Sequence, residues 1–446
     1  MNTDNAETAA KDIVIAKSIR YSFFNGLFFN AMNGFLNNFL TPFLLLLGGT
    51  PLQVGMLNAF PDISSAMLHI KTPDIIDKFR SRKKPVVIFV FLEAFILLII
   101  AVCAFLMIKS PYLLIIMVTL FSCAAAVANP AWGSWISHLV IKDRGIFFGR
   151  RSRVYGFIKI GATFLAGFLL TKAKAFNPYL GFALIFFIAF VLRFLGWAYL
   201  KRMYEPNISY EKESYFSIFD FLAQIKTSNY AKYVLFISLL GFSVNLATPF
   251  YAVLMLKDLH FSYMLYSVLI GTTTISRLLF IKRWGHIADH VGNIKIIKFT
   301  SVFIGILPLL WIVCRHPVYL IFVQIFSGFL WAGFHLCTTN FIYDAVTPEK
   351  RARCISYYRT LQGIAIFCGA MLGGIMVTRL PALIGYQILT LFLISAVLRV
   401  AVTLLTARGI KEVRPVHNAN NLQIFFSMMF DYKTILGIDR EPLKDI

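Results

Sequence analysis

The chain has few charged residues and few cysteines. Asp, Glu, Lys and Arg make up 14% of its 446 residues, whereas soluble globular domains carry about 25%. The six cysteines show no CxxC and no Cys/His spacing, so neither a disulfide framework nor a zinc site is indicated. The first 20 residues are polar and lack the pattern of a cleavable signal peptide. These absences exclude an ordinary soluble enzyme, and we expect no metal and no cofactor.

The chain is rich in apolar residues. Hydrophobic residues make up 58% of the chain, 45 of them are Phe, and the mean hydropathy is +0.72. Runs of about 20 apolar residues, enough to cross a bilayer core of roughly 30 Å, recur along the chain. The short alternating strands of an outer-membrane barrel are not found. The composition therefore predicts an all-α polytopic membrane protein.

We predict twelve transmembrane spans. Their predicted bounds are 20–47, 52–72, 85–108, 111–140, 150–171, 178–201, 230–256, 262–284, 293–314, 317–345, 353–378 and 381–407. The longest connection follows span six, so we predict an N-terminal six-helix bundle, a cytoplasmic linker, a C-terminal six-helix bundle and a cytoplasmic tail. Their respective bounds are 1–201, 202–229, 230–408 and 409–446. The tail is either an interfacial helix or loosely ordered.

The formal charge of +22 reflects topology. Alternate loops hold few basic residues, namely Lys109, Lys172, Lys174, Lys257, Arg315 and Arg379. Nearly all other Lys and Arg lie in the termini, in the intervening loops or near the helix ends that face them. Basic residues accumulate on the cytoplasmic side of membrane proteins, which places both termini there and the six residues outside. We therefore expect no nucleic-acid partner.

The chain contains an internal repeat. Residues 34–43 read GFLNNFLTPF and residues 241–250 read GFSVNLATPF, with six letters shared at an offset of 207. Pro111 and Pro317 open spans four and ten at an offset of 206. Because six is an even number of spans, the two halves have the same orientation in the membrane and form parallel repeats.

Two basic stretches follow spans two and eight. Residues 73–84 read PDIIDKFRSRKK and residues 285–295 read GHIADHVGNIK. They resemble the loop signature of the major facilitator superfamily, and with the twelve spans and the parallel halves the resemblance covers almost the whole chain. The matching residues are Asp77, Lys78 and Arg82 in the first copy, and Gly285, Asp289 and Gly292 in the second. The first copy departs from the signature at Pro73 and Arg80, which replace glycines, and the second at His290, which replaces Arg.

The resemblance implies gating roles. Asp77 and Asp289 would accept hydrogen bonds at the start of a neighbouring helix and stabilise the outward-facing state. Residues 144–151, RGIFFGRR, are similar to a loop of poorly characterised bacterial members, which implies that Arg150, Arg151 and Arg153 gate the inner side. The alternative is that these basic residues only enforce topology.

The resemblance also implies that spans one, four, seven and ten line a central cavity. Polar side chains inside a bilayer are costly and face a cavity or a partner. The candidate substrate-binding residues are Asn30, Asn33, Asn37, Asn129, Trp132, Gln324, Trp331 and His335. The alternative for each is packing, since Asn ties helices together and Trp or His can fill a helix interface. The three Asn of span one are not repeated in span seven, which favours a substrate role over common architecture.

Ion coupling requires a titratable group within the bilayer. Asp62 in span two and Glu93 in span three are the proton-coupling candidates. The alternative for Asp62 is an ion pair or hydrogen bond that stabilises packing. Arg277 is the only Arg that we identify well inside an apolar run. A carrier of anions should instead show paired arginines in its cavity. A neutral sugar- or nucleoside-like solute is therefore favoured.

The leading hypothesis is a secondary active transporter of a small organic solute that works by alternating access, with coupling to H+ or Na+ left open. The alternatives are a lipid or lysolipid flippase or a hydrophobic-drug exporter on the same fold, and then a membrane-embedded enzyme or a channel. No catalytic cluster is found, so we expect no enzyme. We expect a monomer in a bacterial inner or plasma membrane, in contact with lipid.

Overall fold

The computed structural model describes residues 2–139, 144–206, 228–416 and residue 423. The predicted linker lies largely outside these residues, as does most of the predicted tail. The described residues of the first half form six helical spans. These are Asn2–Leu36 with Leu40–Leu46, Pro51–Phe79, Lys83–Phe105, Pro111–Leu139, Arg144–Ala173 and Pro178–Lys201.

The second half repeats this arrangement. Span seven comprises Asn229–Asn245, Phe250–Val253 and a π-helical turn at Leu254–Asp258. Spans eight to twelve are Tyr263–Val291, Asn293–Val313, Pro317–Ala345, Pro348–Met376 and Gln387–Thr406. The predicted all-α polytopic fold is confirmed, and in the described ranges the only strand-like feature is an isolated bridge between Leu383 and Tyr386.

Ten of the described helices are long and apolar enough to cross a membrane. Spans one and two do not reach that hydropathy, because both carry polar side chains in their middle, among them Asn33 and Asn37 in span one and Asn58 and Asp62 in span two. The two least apolar spans are thus the ones from which several of the candidate site residues come.

Proline sets where many helices begin. Spans two, four, six, ten and eleven open on Pro51, Pro111, Pro178, Pro317 and Pro348. Proline suits the first helical position, because its missing N–H is one that a helix start leaves unpaired and its φ is already helical.

Several predicted helix ends were wrong. Span two runs on to Phe79, so Asp77 and Lys78 lie in a helix rather than a loop. Span five begins at Arg144, and span twelve begins at Gln387 instead of residue 381. Hydropathy reports the part of a helix inside the bilayer, whereas polar helix ends continue beyond it.

Both copies of the repeated stretch interrupt their helix. Span one breaks at residues 37–39 and span seven at 246–249. Pro42 and Pro249 cannot donate to the carbonyl four residues earlier, so the carbonyls of Asn38 and Asn245 lose the usual helical donor. The freed Asn38 carbonyl accepts a hydrogen bond of 2.8 Å from the Tyr266 hydroxyl.

The described residues fall into two compact units. Unit one contains residues of the ranges 1–212, 244–271 and 356–391, and unit two those of 213–243, 272–355 and 392–446. Unit one thus combines the first six spans with parts of spans seven, eight and eleven. The predicted domain boundaries at 201, 229 and 408 stay a prediction.

Candidate functional site

Span one presents an amide pair just before its helix breaks. The Asn37 side-chain nitrogen donates to the Asn33 side-chain oxygen at 3.1 Å, and Asn37 is exposed. Asn30 instead donates to the Gly26 carbonyl of its own helix at 2.8 Å. Within the described chain the Asn33 nitrogen and the Asn37 oxygen have no other partner, so one donor and one acceptor remain side by side for a solute.

Asn38, beside this pair, has a packing role. Its side-chain nitrogen donates to the Thr163 hydroxyl at 3.3 Å, and Thr163 in turn donates to the Gly34 carbonyl at 3.2 Å. A Cβ on Gly34 would lie 2.6 Å from the Ala162 Cβ, so spans one and five are in direct contact there. This network holds the interrupted helix in place.

Span four brings Trp132 to Arg151 of span five. The Arg151 guanidinium lies 4.8 Å from the Trp132 ring centre and donates to the Ser22 hydroxyl and carbonyl, both at 2.9 Å. Arg151 is buried, while Asn129 and Arg153 are exposed. Arg151 therefore ties the start of span five to spans one and four. Its proposed gating role stays a prediction.

Glu93 forms a buried ion pair in unit one. The Arg193 guanidinium donates to the Glu93 carboxylate at 2.6 Å, and both side chains are at most 3% exposed. The Phe29 ring lies 4.7 Å from the guanidinium carbon. This ion pair joins spans three and six. Glu93 therefore stabilises the packing of these two helices, whether or not its carboxylate also exchanges a proton.

Two buried arginines were missed by the sequence analysis. Besides Arg277, which is half-buried, Arg193 and Arg399 lie inside spans six and twelve with at most 3% exposure. The Arg399 guanidinium donates to the Ser395 hydroxyl at 3.1 Å and to the Ile304 carbonyl at 3.2 Å. The internal repeat could have revealed these two arginines, because each is the last residue of a Val-Leu-Arg sequence and the two sequences are 206 residues apart.

Asp62 lies midway along span two beside span eleven. A Cβ on Gly363 would come within 3.1 Å of the Asp62 carbonyl oxygen and 2.6 Å of the Ala66 Cβ. The Asp62 side chain is exposed at the protein surface, and within the described ranges no cation pairs with it. The alternative that Asp62 forms a structural ion pair therefore gains no support.

In unit two, span ten carries an aromatic stack. The Trp331 and His335 rings are nearly parallel, with centres 5.0 Å apart and planes tilted by 23°. Phe334 meets the His335 ring edge-on at 5.8 Å. His335 is exposed, and Trp331 and Gln324 are half-buried. The stack offers a flat ring surface with polar nitrogen atoms.

Glu205 and Glu412 accept hydrogen bonds at the starts of spans three and nine, and the roles of Asp77 and Asp289 stay a prediction. The Glu205 carboxylate accepts from Ser81 Oγ at 2.8 Å and Lys83 N at 3.0 Å, and Glu412 accepts from Ile294 N at 2.8 Å. The two glutamates are 207 residues apart, a repeat that the sequence analysis missed. Both caps place a carboxylate at the positive end of a helix.

The remaining residues of the predicted gate differ in exposure and in conformation. Lys78 and Asp289 are exposed, and Arg82 donates to the Ser134 carbonyl at 3.4 Å. Gly292 takes a φ of 90°, a left-handed conformation that favours glycine, while Gly285 continues the helix of span eight. The side chains of Asp77 and Arg150 lie outside the described part of the structure.

Within unit one, second-half helices pack on first-half helices along a surface that we call the seam. It is made by spans two and five on one side and spans eight and eleven on the other. A Cβ on Gly55 would lie 2.5 Å from the Ala370 carbonyl oxygen, and one on Gly374 would lie 3.1 Å from Leu52 Cα. The Thr171 hydroxyl accepts from Met264 N at 2.9 Å. The seam is thus a close backbone approach of small residues.

The repeated six-span fold with polar residues in its first helices defines a membrane transporter. The family model described as Major Facilitator Superfamily matches residues 23–317 and 233–435, which together cover most of the chain. The chain belongs to the major facilitator superfamily. The predicted family and the transport function are thereby confirmed.

Solved structures of other transporters share the fold. The nucleoside transporter NupG is 17% identical with a TM-score of 0.69, over 89% of this chain and 100% of that one. A D-xylose-proton symporter is 13% identical with a TM-score of 0.68, over 90% and 99%. A POT family peptide transporter is 12% identical with a TM-score of 0.68, over 91% and 99%. No curated protein matches the sequence.

The buried ion pair yields a prediction. Arg193→Met leaves the Glu93 charge buried without its partner, so we expect a loss of about 3–5 kcal/mol in the free energy of unfolding. The double variant Glu93→Leu/Arg193→Met should recover most of that loss, because it buries two apolar side chains instead. Thermal unfolding in detergent measures both.

The exposed Arg153 supplies the control, since Arg153→Met should change stability by less than about 0.5 kcal/mol. A double variant as unstable as Arg193→Met would contradict the isolated-charge explanation. If the double variant folds and still accumulates solute, Glu93 is not the coupling residue.

Proposed function

We propose that this chain is a secondary active carrier that moves a small, neutral, ring-bearing polar solute by alternating access, with proton coupling through Asp62. The observation that carries the proposal is the Asn33–Asn37 pair, which keeps one amide donor and one amide acceptor unpaired within the described residues. Inside a membrane such groups are costly unless they gain a partner, and a solute with hydroxyl or amide groups supplies one.

The partners of the two fully buried arginines support a neutral solute. Arg193 and Arg399 are buried and donate to Glu93 and to Ser395, so neither is offered to an anion in solution. A carrier of anions should instead present arginines whose guanidinium groups can each donate two parallel hydrogen bonds to the anion. The structural neighbours include the nucleoside transporter NupG and a D-xylose-proton symporter, which agrees with this class of solute by analogy of fold alone.

The Trp331–His335 stack supports a ring in the solute. Aromatic faces stack on flat rings, and the indole and imidazole nitrogens add hydrogen-bonding groups at the edge. Because His335 is exposed, a planar group could stack on it without displacing a packed side chain. This residue pair belongs to unit two, and its role in binding is proposed independently of the Asn33–Asn37 pair.

The seam supports alternating access. Its contacts are glycines against backbone, as at Gly55, and neutral hydrogen bonds, as between Thr171 and Met264. Opening such a seam breaks no ion pair among these contacts. The free energies of the closed and open states can therefore differ by only a few kcal/mol, a difference that the binding of a ligand can reverse.

Asp62 is proposed to link this motion to a proton. Its backbone carbonyl lies at the seam, against Gly363. Separating spans two and eleven would change the solvation around Asp62, and the proton affinity of a carboxyl group depends on its solvation. Proton binding and seam opening would then be coupled in both directions.

The function is tested by counterflow in proteoliposomes across nucleosides, sugars, amino acids, organic anions and lysolipids. We expect exchange of a neutral ring-bearing solute, and we expect Asn33→Leu to reduce its transport at least tenfold. Asn30→Leu is the matched control, since Asn30 already bonds to its own helix. Exchange of lysolipid or a hydrophobic drug alone would support the exporter alternative, and ion flux at channel rates would overturn the carrier.

The seam yields a second prediction. Gly55→Val should obstruct closure against Ala370 and favour the state that is open at the predicted external face. Transport should fall at least tenfold, and Ala370→Cys, at a position that is 0% exposed, should become reactive to an impermeant maleimide. Cys368 is exposed and lies two residues away, so it is replaced by Ser in this background, and peptide mapping separates the label from the other native cysteines.

Gly161→Val is its control, because a Cβ on Gly161 meets nothing within 4 Å. Equal loss of transport in both variants, or an unchanged label at position 370, would contradict the role of the seam.

Asp62→Asn should abolish accumulation driven by a pH gradient, while exchange without a gradient survives, because the amide cannot carry the proton. Accumulation under a pH gradient and exchange without a gradient are measured on the same vesicles. Normal accumulation by Asp62→Asn would assign Asp62 a structural role and remove proton coupling through it.

A further inference from the structure

A small, open apolar crevice lies in unit one at the predicted external ends of spans one, three and four. Phe43, Leu47, Ile100, Leu114 and Met117 supply apolar walls. Among the lining residues only Ser110 and Cys103 carry a polar atom. A crevice with so few polar partners cannot hold ordered water well, so it suits hydrocarbon.

The loop beside the crevice is unusually apolar for a loop. Phe105, Leu106, Met107 and Ile108 are exposed by 61%, 62%, 41% and 39%, where water-facing connections carry polar residues. Ile108 also lines the crevice, so one crevice wall reaches the protein surface. Exposed apolar patches of this kind mark contact with a protein or a membrane.

Met107 adds a conformational observation. Its φ is 56°, the left-handed region that glycine adopts without cost and a bulky residue avoids. A methionine at the end of a helix, where glycine is usual, therefore presents an apolar side chain at some cost to stability. Such outliers persist where they serve a function.

A second loop joins the first. Phe176, after span five, is 93% exposed, and the next residue, Asn177, contacts the Met107 sulfur with its amide nitrogen at 4.0 Å. The Tyr179 hydroxyl donates to the Leu46 carbonyl at 3.3 Å, next to Leu47 in the crevice wall. Both apolar loops thus border the same crevice.

Three lysines lie in or next to these loops, and the chain segments that form the loops and the crevice carry no acidic residue. Lys109 lies between Ile108 and Ser110 of the crevice wall, and Lys172 and Lys174 precede Phe176; all three lysines are exposed. Residues 40–52, 103–114 and 168–182 contain no Asp or Glu. A lysine near a membrane surface attracts anionic lipid by about 1 kcal/mol, and its stem can lie along apolar surface.

We propose that this end of unit one binds an anionic phospholipid. One acyl chain lies against the apolar walls at the mouth of the crevice, the apolar loops lie in the membrane interface, and the phosphate lies near Lys109, Lys172 and Lys174. This binding does not depend on which solute is carried, nor on proton coupling.

Native mass spectrometry of the delipidated full chain, titrated with phosphatidylglycerol or phosphatidylcholine, tests the proposal. We expect at least tenfold tighter binding of phosphatidylglycerol. The triple variant Lys109→Gln/Lys172→Gln/Lys174→Gln should lose that preference. Its matched control, Lys257→Gln/Arg315→Gln/Arg379→Gln, removes the other three basic residues of the predicted external face and should keep it.

The crevice is tested separately. Cys103→Phe fills it and should weaken binding of both lipids at least fivefold, while Cys103→Ala should not. Met107→Gly should weaken binding with an equal or higher melting temperature, because the backbone favours glycine there. Equal affinity for the two lipids, equal losses in both triple variants, or unchanged binding by Cys103→Phe would overturn the proposal.

Discussion

The absence of water in the bilayer core is the constraint on which this structure depends. A polar group there must find its partner inside the protein. Two departures from a regular apolar helix show such a compensating bond. Where Pro42 frees the Asn38 carbonyl, the Tyr266 hydroxyl donates to it, and where Arg193 enters the interior, Glu93 neutralises it. The Asn33–Asn37 pair, by contrast, leaves hydrogen-bonding capacity unused within the described chain, and its Asn37 is exposed.

The repeat separates what the fold needs from what distinguishes the two halves. The helix interruption after Leu36 and Asn245, and the caps by Glu205 and Glu412, occur in both halves and belong to the shared architecture. The buried arginines also recur, but their partners differ: a carboxylate for Arg193, neutral oxygens for Arg399. Function in a duplicated carrier is most readily assigned to residues that the second copy lacks, and the amide pair of span one is such a case.

The positions of all twelve spans could be predicted, since each needs about 20 apolar residues and the sequence shows them directly. Helix ends could not, because Asp77 and Lys78 are polar whether they lie in a helix or a loop. Candidate residues followed from polarity inside apolar runs, yet Arg193 and Glu205 were overlooked. Arg193 is recognised by its repeat at Arg399. Glu205 repeats at Glu412, but its capping role is visible only in the folded chain, which brings it to a helix start 122 residues earlier in the sequence.

The seam has one more consequence. Its closure rests on glycines packed against backbone and on neutral hydrogen bonds such as that from Met264 N to Thr171. Dissolved ions screen interactions between charges but have little effect on van der Waals contact. A closure built in this way should hold equally well in dilute and in saline surroundings. A carrier whose outer face meets a medium of changing salinity would thus keep the same balance between its closed and open forms.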